Sequence, residues 1–332
     1  MALRLIEMVL GEKDGGDVRE LLKEHKVLEH RQIRLPDGEL LVRILLEAEQ
    51  VEEVLDFIEE LAGQGKRVVI LPVVATLPRD EPEPAESEEK PPERISREEL
   101  YEDIKNGARW TRGYMAMAVL STVAAAVGLY QNNVAIIIGA MVIAPLLGPN
   151  VALALGTTLG DLPLLRRALL TAMAGIAAAM ALSVIIGALW HVDPALSEVA
   201  SRTQVSLLGD TAVALASGSA GALAFTMGLS PALIGVMVAV ALLPPLVTFG
   251  LLLGGGHPAL AMGALSLFLL NLICVNLAGV ATFLVQGIHP ASWWEKERAV
   301  KATRVAIGMR VGLLAGLGGM IPLLLRNGMM PQ

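Results

Sequence analysis

The sequence predicts an α-helical polytopic membrane bundle with two inverted three-helix repeats, plus an N-terminal α+β ferredoxin-like cytoplasmic domain. Three observations support this fold class. Up to Lys105 the chain carries 15 basic and 27 acidic residues, whereas the remainder carries 11 and 6. Residues 113–160 and 211–294 contain no Asp, Glu, Lys or Arg, although about 20 apolar residues suffice for a helix to cross a bilayer. The membrane part also repeats itself at an offset of 96 residues.

The soluble domain is predicted at residues 1–76. Its periodicities indicate the order β-α-β-β-α-β, with strands at 3–10, 32–35, 39–46 and 67–74 and helices at 17–25 and 51–61. Pro36-Asp37-Gly38 marks a hairpin between the second and third strands, because Pro presets φ and Gly accepts positive φ. This order is that of a ferredoxin-like domain. Residues 1–16 do not read as a signal peptide, so we expect the domain in the cytoplasm.

Two connecting segments follow. Residues 77–94 combine five prolines with seven acidic residues, and such a segment buries too little apolar surface to offset its ordering entropy. We therefore predict an acidic, Pro-rich linker. Residues 95–109 predict an amphipathic juxtamembrane helix, since Ser96 and Glu99 form a capping-box pattern and Leu100, Ile104 and Ala108 share one face.

The membrane part is predicted to contain six spans. Basic residues cluster before the first span, after the second and after the sixth, which places these positions in the cytoplasm. Residues 110–190 then form the first three-span repeat, 191–210 an extracytoplasmic loop and 211–288 the second repeat. Residues 289–332 form a cytoplasmic basic segment with a weaker seventh candidate at 305–325. The apolar segments are 110–130, 134–159, 168–190, 211–227, 231–253 and 259–286.

The internal repeat aligns residues 137–161 with 233–257, with 10 identities in 25 positions. Because three spans is an odd number, the two units are expected to face opposite ways across the bilayer. Pro145 and Gly148-Pro149-Asn150 fall near the middle of the second span, and Pro244-Pro245 fall near the middle of the fifth. Each proline removes a backbone donor, and interruptions at matching positions of inverted repeats point to a transporter site at the midplane.

Polar residues near these interruptions are the candidate site. Asn150 is the first choice, because its repeat mate is Leu246; its alternative role is a hydrogen bond between helices. For Ser217 and Ser219 the alternative is close packing, and for Asp210, a candidate gate or coupling residue, it is an N-cap. The candidate substrate-binding residues are Asn150, Pro149, Gly148, Pro145, Pro244, Pro245, Ser217, Ser219, Asn271 and Asn276.

The predicted function is a secondary transporter of a small polar or anionic solute, because a broken helix presents a partly positive N-terminus. No carboxylate lies deep in a span, which disfavours proton coupling. A channel and a membrane-anchored sensor or assembly protein are the alternatives. The sequence shows no phosphate loop, metal-ligand cluster or nucleophile triad, so we expect no enzyme, cofactor or metal. The expected partners are the lipid bilayer of the plasma membrane, a small-molecule or ion substrate and a second copy of the chain, but no nucleic acid.

The segment Ile136-Ile137-Ile138-Gly139-Ala140-Met141-Val142-Ile143-Ala144-Pro145-Leu146-Leu147-Gly148-Pro149 follows the β-α-β-β-α-β domain. In this arrangement the chain resembles the prokaryotic uncharacterised hydrophobic domain family, catalogued as domain of unknown function 389. The resemblance implies an integral membrane protein of bacteria or archaea with a soluble N-terminal domain. It implies no biochemical role and no binding residues.

Overall fold

The computed structural model describes residues 3–11, 27–36, 38–51, 54–55, 58, 67–73, 95–190, 192–229 and 231–288. At residue 49 and residues 231–240 it describes the backbone alone. The chain divides into two units, Met1–Leu100 and Tyr101–Gln332. The first predicted helix (17–25), the linker (77–94) and the segment 289–332 lie outside the described residues.

The first unit contains a four-stranded antiparallel sheet. Its strands are β1 (Leu3–Leu10), β2 (Glu29–Arg34), β3 (Leu40–Glu47) and β4 (Val68–Val73), in the order β2-β3-β1-β4. β1 pairs antiparallel with both β3 and β4. The connections from β1 to β2 and from β3 to β4 therefore each skip one strand, as a split β-α-β arrangement requires.

One face of this sheet forms a hydrophobic core. β1 alternates half-buried and buried residues, so Ile6 and Met8 share the buried face. They pair with Ile44 and Val42 of β3, which are also buried. The helical residues that pack against this face are Val51, Val54, Leu55 and Ile58. These four residues lie within the range predicted for the second helix, 51–61.

The predicted hairpin between β2 and β3 is confirmed. Gly38 has a φ of 85°, and the backbone N–H of Leu35 donates to the carbonyl of Glu39 at 2.8 Å. β2 begins at Glu29 rather than at the predicted Gln32, because pairing with β3 extends as far as Leu45. The length of β2 is therefore set by its pairing with β3. The alternation of residues within β2 carries no information about that pairing.

The described residues of the second unit are mainly helical. Within these residues, four helices are long and apolar enough to cross a membrane, namely α2 (Arg112–Tyr130), α5 (Leu162–Leu189), α7 (Leu207–Thr226) and α9 (Pro258–Val285), and the bent pair of α3 (Val134–Ile143) and α4 (Leu147–Leu159) makes a fifth if it is one span. Each predicted apolar segment corresponds to one helix or, in the second segment, to this pair. The helices are α1 (Arg97–Gly107), α2 (Arg112–Tyr130), α3 (Val134–Ile143), α4 (Leu147–Leu159), α5 (Leu162–Leu189), α6 (Ser197–Ala200), α7 (Leu207–Thr226), α8 (Pro231–Gly254) and α9 (Pro258–Val285).

The predicted interruption of the second segment is confirmed. α3 and α4 are bent by 54° across residues 144–146. Ala144 is extended, with a ψ of 124°, because the ring of Pro145 disfavours helical geometry in the residue before it. The α4 N-terminus that results has no side-chain cap.

The predicted interruption at Pro244-Pro245 is wrong. α8 continues from Pro231 to Gly254 with both prolines inside it. The repeat mate of Pro145 is Ala241, which has no ring to force the preceding residue out of the helix. Positions 149 and 245, which correspond at the offset of 96 residues, are therefore both proline. The proline that breaks the helix, Pro145, has no counterpart at position 241.

Backbone geometry recurs at the offset of 96 residues. Positive φ occurs at Asn132 (53°) and Gly228 (66°), and again at Gly160 (70°) and Gly256 (83°). In the turn after α2, the backbone N–H of residue 133 donates a hydrogen bond to the carbonyl of residue 128 at 2.8 Å. In the turn after α7, the N–H of residue 229 donates to the carbonyl of residue 224 at 3.0 Å. The starts of α5 and α9, at residues 162 and 258, differ by the same 96, and each helix has 28 residues.

The long connection between α5 and α7 is tied to the turn after α2. Asn132 Oδ1 accepts hydrogen bonds from Ser197 Oγ at 3.1 Å and from the backbone N–H of Glu198 at 3.0 Å. At the same end of the bundle, the rings of Tyr130 and Trp190 lie 5.7 Å apart. Both aromatic residues are predicted from the sequence to lie at one membrane–water interface.

Candidate functional site

The candidate site lies where α4 and α9 cross. Asn276 Nδ2 on α9 donates to Asn150 Oδ1 on α4 at 2.9 Å, and Asn150 Nδ2 donates to the carbonyl of Leu146 at 2.8 Å. Asn150 and Asn276 are 2% and 5% exposed. The structure therefore brings together two of the predicted polar residues, and the hydrogen bond anticipated as the alternative role of Asn150 is present.

A small cavity adjoins Asn150. The space open to the centre of a water molecule is about 10 Å³, which is room for about one water. The site is therefore closed in this conformation. The lining residues are Asn150, Val151, Ala154, Gly218, Ala222, Val275 and Gly279.

Asn271, the third predicted asparagine, has a different partner. Its Nδ2 donates to the carbonyl of Ala241 on α8 at 2.8 Å. In an α-helix that carbonyl would accept from the N–H of residue 245, which is a proline and has none. Asn271 therefore supplies the donor that Pro245 lacks, which explains how α8 continues through its prolines. The repeat mate of Asn271 is Gly175, which has no side chain.

The start of α4 is in contact with the end of α1. A Cβ on Gly148 would overlap the carbonyl oxygen of Gly107 and would lie 2.8 Å from its carbonyl carbon. Only glycine at position 148 allows this approach. Pro149 is buried and Pro145 is half-buried.

The remaining polar candidates are Ser217, Ser219 and Asp210. Ser217 and Ser219 are half-buried, and it is Gly218 between them that lines the cavity. Asp210 accepts a hydrogen bond from the backbone N–H of Ser206 at 2.7 Å, while Ser206 Oγ accepts from Gly209 N at 3.3 Å. The N-cap of α7 is therefore Ser206, and Asp210 lies inside the first turn, where it binds the backbone N–H of that N-cap. The N-cap role anticipated for Asp210 is wrong.

Comparison with known proteins identifies the family of the chain. The model of a domain of unknown function, DUF389, matches residues 141–277. An uncharacterised protein of Methanocaldococcus jannaschii is 38% identical over 277 residues, covering 83% of this chain and 85% of that protein. The chain belongs to the DUF389 family. No solved structure matches the chain. The DUF389 match contains Asn150, Asn271, Asn276 and both prolines of α8.

Sequence reasoning missed part of the site of this DUF389 protein. The wall of the cavity on α7 is formed by two small residues four positions apart, Gly218 and Ala222, and the wall on α9 is formed by Val275 and Gly279. A small-xxx-small pattern in an apolar helix marks close helix approach, so that pattern in α7 is the signal that could have found them. The contact of Gly107 with Gly148 has no such signal, because it joins different helices.

Proposed function

We propose that this protein is a secondary transporter of a small polar or anionic solute, working by alternating access between two inverted three-helix repeats. Residues 110–190 and 211–288 are the two repeats, in the plasma membrane. The sheet and its helices form a ferredoxin-like domain on the cytoplasmic side, in accordance with the charge distribution. The membrane-embedded site is the asparagine pair of α4 and α9.

The observation that carries the proposal is the recurrence of backbone geometry at 96 residues. The two positive-φ positions and the turn bonds of one unit recur in the other, which supports a repeat more strongly than identities in apolar sequence. An odd number of crossings per unit implies opposite orientations. Across the units, α8 packs on α5 and α9 packs on α4, so the third helix of each unit packs on the second element of the other.

The solute class follows from the groups around the break. The start of α4 carries backbone N–H groups without a side-chain cap, and its partial positive charge favours an anion or a polar neutral group. Asn150 and Asn276 add amide donors and acceptors. No Asp, Glu, Lys or Arg occurs from residue 113 to 160 or from 211 to 294, so neutral amides and backbone would supply the polar contacts.

The inverted arrangement is tested by labelling repeat mates. In a Cys274→Ala background, Gln131→Cys and Met227→Cys place the one thiol at equivalent exposed turns. With intact cells and a membrane-impermeant maleimide, we expect the thiol at position 131 to react. The thiol at position 227 should react only after permeabilisation. Reaction of both without permeabilisation would refute the inverted repeat.

The solute is sought by thermal-stability screening of the purified full chain. Anions, amino acids, nucleosides, polyols and metal ions are added singly, and a compound at 100 times its Kd stabilises by about 2.7 kcal/mol. We expect a compound that raises the Tm of the wild type and of Asn106→Ala, an exposed control, but not of Asn150→Ala. An equal response of Asn150→Ala would remove the asparagine pair from the site.

Uptake into proteoliposomes then separates the classes of protein. A transporter gives saturable uptake and counterflow of the compound. Flux without saturation or counterflow would instead indicate a channel. If the compound binds but no flux occurs, and its binding requires residues 1–95, the protein is a sensor and the transport proposal is wrong.

A further inference from the structure

The juxtamembrane helix α1 contacts both ends of α4. At its C-terminal end, the carbonyl of Gly107 lies against the Cα of Gly148, in the first turn of α4. Near the middle of α1, Tyr101 Oη donates to Asp161 Oδ2 at 2.6 Å, two residues after α4 ends. The other oxygen of this carboxylate accepts from the N–H of Leu164 at 3.0 Å and caps α5.

The apolar face of α1 is covered. Ile104 and Ala108 are both 0% exposed, as expected for a helix docked on protein. A helix that lay on a lipid surface would present these residues to the bilayer instead. Lys105 and Glu102 are on the opposite side and pair with each other at 2.5 Å. α1 therefore has one docked face and one polar face.

α4 is the element that α1 would restrain. It carries Asn150 and is joined to α3 through the extended residue Ala144, so a change in the bend between α3 and α4 would displace α4. Its two ends could not move while Gly148 is held against Gly107 and Asp161 against Tyr101. The closed cavity beside Asn150 is the state in which both contacts are made.

We propose that α1 is a latch: docked, it holds α4 and the asparagine pair in the closed state, and its release permits opening. This deepens the proposed transport function and rests on it for its consequence, although the docking can be measured without any solute. The contact is autoinhibitory, because the segment that leads into the membrane part restrains the element that carries the site.

The experiment measures α1 release directly. In full-length Cys274→Ala protein in lipid nanodiscs, Ala108→Cys places the one thiol on the docked face, and the rate of maleimide labelling reports its exposure. Adding Gly148→Ala inserts a methyl group against the Gly107 carbonyl. We expect labelling to accelerate about fivefold or more, because the lower end of the usual overpacking penalties corresponds to about that factor in an equilibrium constant.

Gly139→Ala is the matched control, since a Cβ on Gly139 of α3 meets nothing within 4 Å; its labelling rate should stay unchanged. Tyr101→Phe removes only the hydrogen bond to Asp161 and should accelerate labelling several-fold, so it tests the latch if Gly148→Ala fails to fold. Unchanged labelling in Tyr101→Phe and in any folded Gly148→Ala would overturn the latch. So would equal acceleration by Gly139→Ala.

Uptake links the latch to transport. For the compound found by screening, Gly148→Ala and Tyr101→Phe should increase the initial uptake rate several-fold, whereas Gly139→Ala should not. Faster labelling with unchanged uptake would overturn the autoinhibitory role of α1. If the wild type and all variants transport nothing while labelling still accelerates, the transport proposal fails and α1 docking alone stands.

Discussion

Asn276 of α9 donates a 2.9 Å hydrogen bond to the side-chain oxygen of Asn150 on α4, across 126 residues of sequence. Asn276→Ala leaves the buried Asn150 oxygen without this donor, and an unsatisfied buried polar group costs about 1–3 kcal/mol. We expect the variant to lower the free energy of unfolding by an amount in this range. Thermal unfolding in detergent measures the loss, with Asn106→Ala as an exposed control.

The double variant Asn150→Leu, Asn276→Leu separates pairing from packing. Replacing both partners by apolar groups can be nearly neutral, so the double variant should be more stable than Asn276→Leu alone. A double-mutant cycle should give a coupling energy of about 0.6–2 kcal/mol. Additive losses would show that the pair contributes no interaction energy.

The contact between Asn271 and Ala241 predicts rescue by a proline substitution. Asn271→Ala removes the donor to the Ala241 carbonyl and should destabilise the protein by about 1–2 kcal/mol. Pro245→Ala restores a backbone N–H that can reach the same carbonyl, so Asn271→Ala should cost much less in that background. Pro244→Ala is the matched control, because its N–H would serve the carbonyl of residue 240. Equal rescue by both substitutions would contradict the assignment.

Close packing of α5 on α8 predicts a size limit at Gly254. A Cβ on this glycine would overlap the carbonyl oxygen of Val184 and would lie 2.8 Å from the backbone N of Ala188. Gly254→Ala should destabilise by about 1–3 kcal/mol, because backbone cannot yield as a flexible side chain does. Gly139→Ala should be neutral. An unchanged Tm in Gly254→Ala would mean that α5 and α8 are not this close.

Tyr101 predicts an alkaline transition of α1. Burial and the hydrogen bond to Asp161 raise its pKa from 10.0 to about 12, with Glu102 adding to the effect and Arg167 opposing it. A raised pKa stabilises the fold fully below pH 10, and this contribution is lost as pH rises towards 12. The phenolate absorbance that develops near pH 12 should decrease by the contribution of one tyrosine in Tyr101→Phe.

Asp161→Asn is the informative variant for this titration. It keeps one oxygen, which can still cap α5, and its amide NH2 can hydrogen-bond the Tyr101 oxygen, but it removes the negative charge that opposes ionisation of the phenol. The Tyr101 component should therefore move to lower pH. A component that stays in place would show that the charge of Asp161 does not raise the pKa of Tyr101.

The sequence predicts the helices well because their cause is local. A helix in lipid must satisfy its own backbone and present an apolar surface, so uncharged stretches such as residues 113–160 locate helices directly. The break at residues 144–146 is equally local, since Pro145 restricts Ala144. The N-cap at Ser96, which is one half of the predicted capping box, is confirmed in the same way, with Glu99 N donating to Ser96 Oγ at 3.3 Å.

The features that the sequence does not predict depend on a second helix. Continuity of α8 requires Asn271 from α9, and no pattern around Pro245 contains that donor. Likewise, the α1 docking site combines Gly107 with Gly148 and Tyr101 with Asp161, which become neighbours only after the helices have packed. The sequence identifies Asn150 as a polar residue in an apolar segment. Whether Asn271 or Asn276 is its partner is decided by the crossing of α4 and α9.

The hydrogen bonds of Asn132 affect how readily a protease cleaves the loop between α5 and α7. Its side chain holds the start of α6, and Arg202 Nη1 lies 2.9 Å from Glu198 Oε2 in the same loop. Arg202 is the one Lys or Arg from residue 191 to 210, so it is the loop's one trypsin site. Because trypsin cleaves segments that can extend into its cleft, the folded loop should resist digestion while Asn132 is intact. Asn132→Gly keeps the positive φ but frees α6, and it should expose Arg202 to cleavage.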